Sequence, residues 1–138
     1  MHKIDMPSCT INRSLMLVRC KQPFVDWLQQ VEPDAMAEVT LELVNADGDV
    51  FLIPEKMDAH DARHWFDNRW PMLFDHMLGA WVVDETKWPE ERSILLFHEW
   101  FSVEYRSMIW DLCREPLAIE DWARDSGEIE DDGESRLH

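Results

Sequence analysis

Apolar positions change their period several times along the chain, and each change marks an expected element. SLMLVRC, residues 14 to 20, is a nearly unbroken apolar run ahead of Lys21-Gln22-Pro23, the signature of a buried strand. Phe24, Trp27, Leu28 and Val31 then recur at helical spacing behind Pro23, which suits a first turn, so a helix is expected over 23 to 31. DVFLIPE predicts a second strand over 49 to 54, following the turn signal Asn45-Ala46-Asp47-Gly48. Residues 38 to 44, just before that turn, admit two readings: a hairpin partner, or a short helix begun by Thr40. The helical reading would let strands 14 to 20 and 49 to 54 pair in parallel through a right-handed crossover.

From Asp58 the period becomes 3.6. Ala59, Ala62, Phe66 and Trp70 mark one helical face that Pro71 ends or kinks, and Leu73, Phe74, Met77, Leu78, Trp81 and Val82 form the next, predicting helices over 58 to 70 and 72 to 83. DETKWPEERS places Thr86 in a cap region, Pro89 near a first turn, and Glu90 and Glu91 where a helix N-terminus favours negative charge. Ile94, Phe97, His98, Phe101, Tyr105, Met108, Ile109 and Leu112 continue on one helical face, so the first expectation is a long helix from about 89 to 113. The competing reading stops it near Phe101, because Phe101, Val103 and Tyr105 alternate and favour a third strand. The expected fold is a helix-rich α+β domain over 14 to 113, with a small sheet of two or three strands covered by helices. Residues 1 to 13 are expected to be flexible.

Charge changes the picture at the C-terminal end. Residues 114 to 138 hold nine carboxylates against three arginines, an acidic and largely disordered tail by composition. The body is acidic as well, since the whole chain of 138 residues carries a formal −16. A field of that sign disfavours phosphate backbones and anionic membranes, so no direct nucleic-acid or membrane binding is expected, and it favours basic partners. Cys9, Cys20 and Cys113 form no CxxC pair, which points to inert or buried thiols in a reducing compartment. No signal-like apolar core opens the sequence and no apolar run reaches spanning length, so the cytoplasm is the expected setting.

Candidate chemistry is sparse. His98 and Glu99 are adjacent, so on a helix they point about 100° apart and on a strand they face opposite sides. His98 therefore reads as a core-edge histidine hydrogen-bonded to a neighbour, with Glu99 and Glu104 on the solvated face. His60, His64 and Asp67 sit one helical turn apart, a spacing that can hold a divalent metal and could serve a small metal-dependent hydrolase. No Glu separates the histidines as an HExxH zinc motif requires, and the polar face of an amphipathic helix explains them equally. Neither a GxSxG elbow nor a GxGxxG loop is present, so no cofactor is expected. Eight tryptophans exceed what one such core usually buries; Trp65 and Trp100, beside the apolar stripes, are the candidates for an aromatic recognition patch with Glu99 and Glu104.

The segments PFVDWL, VFLIPE, WPMLFDHML, KWPEERS and FHEWFSVEY, in this order and spacing, resemble those of a family of small acidic proteobacterial proteins with no assigned activity. The resemblance spans about residues 14 to 112. It implies a bacterial cytosolic setting and transfers no catalytic residue. The functional expectation is a non-catalytic, acidic protein-binding or regulatory module that meets a basic partner through carboxylates and exposed Trp. A DNA mimic occupying a DNA-binding protein's site is the sharper variant, and the metal-dependent hydrolase is the rival.

Overall fold

The computed structural model describes residues 6–123. The first five residues of the expected flexible N-terminus, and the acidic tail from residue 124 on, lie outside the described residues. Three antiparallel strands form the sheet: β1 (Arg13–Cys20) lies at its centre, flanked by β2 (Val50–Pro54) and β3 (Phe101–Arg106). Among the described residues five α-helices accompany it: α1 (Gln22–Val31), α2 (Leu41–Asn45), α3 (Ala59–Asp67), α4 (Trp70–Gly79) and α5 (Ile94–Trp100). This is a small α+β domain, as the apolar pattern predicts.

Period-two alternation decides which side of β1 meets the helices. Ser14, Met16, Val18 and Cys20 are buried, while Arg13, Leu15, Leu17 and Arg19 point the other way. Each buried β1 residue stands opposite a partner on the same side: Ser14 faces Ile53, Met16 faces Phe51 and Tyr105, Val18 faces Val103 and Cys20 faces Phe101. Onto this side pack Phe24 and Leu28 of α1, Ala62 and Phe66 of α3, Leu73, Phe74 and Leu78 of α4, and Phe97 of α5. Aromatic rings bind the layers together. Phe74 meets Phe97 edge-on at 5.6 Å and Phe101 at 5.7 Å, while Phe97 and Phe101 lie 5.1 Å apart.

Polar groups at the sheet ends are satisfied locally. Buried Ser14 donates its hydroxyl to the Ser107 carbonyl at 3.1 Å. At the other end of β1, the Asn45 amide accepts from the Cys20 N–H at 2.8 Å and donates to the Cys20 carbonyl at 3.0 Å, standing in for the strand that the ladder lacks there. Caps fix the helix starts: Thr40, Asp58 and Ser93 each accept the N–H three residues on.

Three expectations are corrected. Residues 41 to 45 are helical behind Thr40, as one reading had it, yet β1 and β2 pair antiparallel, so no parallel crossover unit forms. A five-residue helix with long flanking turns returns the chain to either direction, and helicity alone does not imply parallel pairing. The long helix over 89 to 113 does not form: α5 begins at the Ser93 cap and ends at Trp100, where the alternation of Phe101, Val103 and Tyr105 becomes β3. Lys21 N–H donates to the Trp100 carbonyl at 2.7 Å, tying that junction to the end of β1. Pro71 neither ends nor kinks a helix; it sits in the first turn of α4, where its missing N–H costs nothing.

Candidate interaction surface

None of the proposed metal ligands converges. His60 and His64 are exposed on α3. The Asp67 carboxylate lies 3.0 Å from His98 Nε2, joining the end of α3 to α5. Among the described residues no three His, Cys, Asp or Glu side chains gather to hold a metal ion. His98 is thus the hydrogen-bonded core-edge histidine expected from the sequence, with its imidazole also against the Phe97 ring at 5.5 Å. A carboxylate can orient an imidazole for base catalysis, but a nucleophile must reach the other ring nitrogen. Among the described residues no hydroxyl or thiol is hydrogen-bonded to His98.

Trp65 and Trp100, expected to form an aromatic patch, are both partly buried and packed against the core cluster. Trp100 packs between Trp27, 5.4 Å away, Phe24 at 6.2 Å and Phe74 at 5.7 Å, so its ring belongs to the core margin. Trp65 also packs against the core and is capped by the Arg69 guanidinium at 3.4 Å from the ring centroid. Glu99 is exposed. Glu104 is engaged: its two oxygens take Arg19 Nε at 2.8 Å and an Arg106 amino group at 3.1 Å. The Arg19 hydrogen bond is the main cause holding the Glu104 carboxyl below its ordinary pKa. The thiols divide as well. Cys20 is buried and pushed up to about 11 by desolvation, whereas Cys9 and Cys113 are exposed free thiols.

Among the described residues, two exposed apolar surfaces stand out. The first is the outer side of the sheet. Leu15 faces Leu52 and Leu17 faces Val50 across the β1–β2 ladder, so the four side chains share one face, and none belongs to the core cluster. Val50 is 52% and Leu52 53% exposed. On the same face the β1–β3 register sets Arg106 opposite Leu15, Glu104 opposite Leu17 and Ser102 opposite Arg19. Arg13, Arg19 and Arg106 thus outnumber Glu104, and the patch is cationic on a strongly acidic protein.

The second surface is the chain after β3. Trp110 bridges Thr10 in an isolated antiparallel contact, with Ile11 N–H donating to the Ile109 carbonyl and Asp111 N–H to the Cys9 carbonyl. Beside it a cavity of about 770 Å³ is lined by Met6, Cys9, Asp111, Leu112, Cys113 and Arg114, among others. Beyond this bridge residues 112 to 121 form no helix or strand, and the run presents Leu117 at 68%, Ile119 at 80% and Trp122 at 76% exposure between Asp111, Glu115 and Glu120. Sequence reasoning assigned this stretch to the acidic tail by its charge. The signal it passed over is the apolar residues interleaved with the carboxylates in EPLAIEDW.

Among the described residues no helix is long and apolar enough to cross a membrane. No protein-family model, curated protein or solved structure matches the chain.

Proposed function

We propose that the protein is a non-catalytic, acidic protein-binding module of the cytoplasm that engages a basic partner. Its contact segment is the run from Trp110 to Trp122, and the expected pairing of carboxylates with exposed Trp is transferred there from Trp65 and Trp100. The observation that carries this reading is the exposure of Leu117, Ile119 and Trp122 amid Glu115 and Glu120. Large apolar side chains left in water favour burial in a partner's groove, and flanking carboxylates select a groove with a cationic rim. The formal −16 of the whole chain steers such a partner inward before contact.

The test is affinity capture from lysate with the tagged full chain, at low and high salt, beside the double variant Ile119→Asp/Trp122→Asp. A basic protein recovered at low salt, lost at high salt and lost by the variant is the expected result. Recovery of the same proteins by the variant would assign the contact elsewhere, and an empty capture would overturn the reading. Competition by duplex DNA for a captured DNA-binding protein would narrow the function to DNA mimicry.

A further inference from the structure

We propose that the open face of the sheet binds the Trp110 to Trp122 arm of a second copy of this chain, so that two copies exchange arms in a closed pair. The face offers an apolar strip, Leu15, Leu17, Val50 and Leu52, bordered by arginines. The arm offers the complementary set: Leu117 and Ile119, two residues apart, with Glu115 on one side and Glu120 on the other. An extended segment lays alternate side chains on one side, so Glu115, Leu117 and Ile119 share a side: the two apolar side chains descend onto the strip while the Glu115 carboxylate reaches Arg13, Arg19 or Arg106. A basic partner does not suit this face, because its arginines would repel it. Charge complementarity therefore selects an acidic, apolar occupant, and this chain carries one.

Reciprocity follows from geometry. Each copy holds one arm and one face, so a head-to-tail contact either closes as a twofold pair or propagates into a chain. Closure makes two arm–face contacts at once, which brings the buried area toward what a stable association requires. The arm that we assign to a basic partner is then sheltered in the pair, and that partner must displace it. This inference stands without the partner: its readout is the oligomeric state of the pure protein, so its failure and that of the proposed function are told apart.

Sedimentation velocity on the full chain, at several protein concentrations and at about 20 mM and about 500 mM salt, gives the decisive measurement because screening weakens arm–face ion pairs. The expected species has twice the 16.5 kDa chain mass and weakens at high salt. Leu52→Glu on the face and Leu117→Glu on the arm, both at exposed positions and checked for folding by circular dichroism, should each weaken pairing by at least about tenfold. Mixing the two variants should restore part of the association, since an intact arm then meets an intact face once per pair. A wild-type chain that stays monomeric throughout overturns the proposal. So does a dimer that Leu52→Glu breaks and Leu117→Glu leaves intact, which would mean two faces packing directly.

Discussion

Met16 and Leu17 are consecutive residues of one strand, alike in size and apolarity, and they meet opposite environments. Met16 is fully buried beneath the helices, with Phe51 and Tyr105 opposite it on the neighbouring strands. Leu17 lies on the far side with Val50 and Glu104 opposite, and belongs to no core cluster. A sheet covered on one side usually shows alternating apolar and polar residues, because its second face meets water. Here both faces of β1 are apolar at mid-strand. The difference teaches that folding accounts for hydrophobicity on the inner face, while that on the outer face lies outside the core cluster and is what the proposed arm would cover.

The largest effect separates the two faces directly. Met16→Ala should cost about 2–5 kcal/mol of unfolding free energy by chemical denaturation, because it opens a cavity that rigid aromatic neighbours cannot close. Leu17→Ala should cost well below half of that at protein concentrations where the chain is monomeric, since the partly exposed side chain leaves no enclosed void. Equal costs would mean that the outer face is already covered within a single chain.

Those two residues also explain what was legible in the sequence. SLMLVRC announces a strand whichever face is buried, so the existence and place of β1 followed from composition, but a continuous apolar run hides the alternation that would tell inside from outside. The same ambiguity left β3 an open alternative. Phe97, Phe101 and Tyr105 fit a helical stripe, while Phe101, Val103 and Tyr105 fit a strand, and only pairing with β1 decides between the two periods. The direction of β1 against β2 had no local signal at all. For the surface, a tryptophan beside a helical stripe can still pack against a neighbouring element, as Trp100 does against Trp27, and the stripe alone does not reveal that contact. The arm was obscured by its charge: counting carboxylates over 114 to 138 drew attention away from Leu117, Ile119 and Trp122.

A smaller effect tests how the inner face is terminated. Asn45 answers both backbone groups of Cys20, the last residue of β1. Asn45→Ala should lower stability by about 1–3 kcal/mol, because part-buried donor and acceptor lose their partners together. Hydrogen exchange should locate the loss at the Cys20 amide, and Asn45→Asp should rescue the N–H contact but not the carbonyl one. An unchanged exchange rate in Asn45→Ala would mean that water replaces the side chain and that this strand end is open.

The smallest effect belongs to the outer face and reports its charge pattern. Glu104 is held below its ordinary pKa chiefly by the Arg19 hydrogen bond, with Arg106 adding to it. A carboxyl whose folded pKa is depressed contributes stability above its unfolded pKa and loses it as the pH falls through the folded value. The link therefore holds at neutral pH and releases only in acid, below the usual glutamate range. Its contribution is slight because the ions are solvated, so the readout should be the group itself rather than the melting temperature. The side-chain carboxyl shift of Glu104, followed by NMR through an acid titration, should show a midpoint below the ordinary value, moving upward in Arg19→Gln. A midpoint that ignores the substitution would mean that Arg19 is not tied to Glu104 in solution. Arg19 would then be a freer cation on the face proposed to receive the arm, and the salt dependence of that pairing should become steeper than the bridged geometry implies.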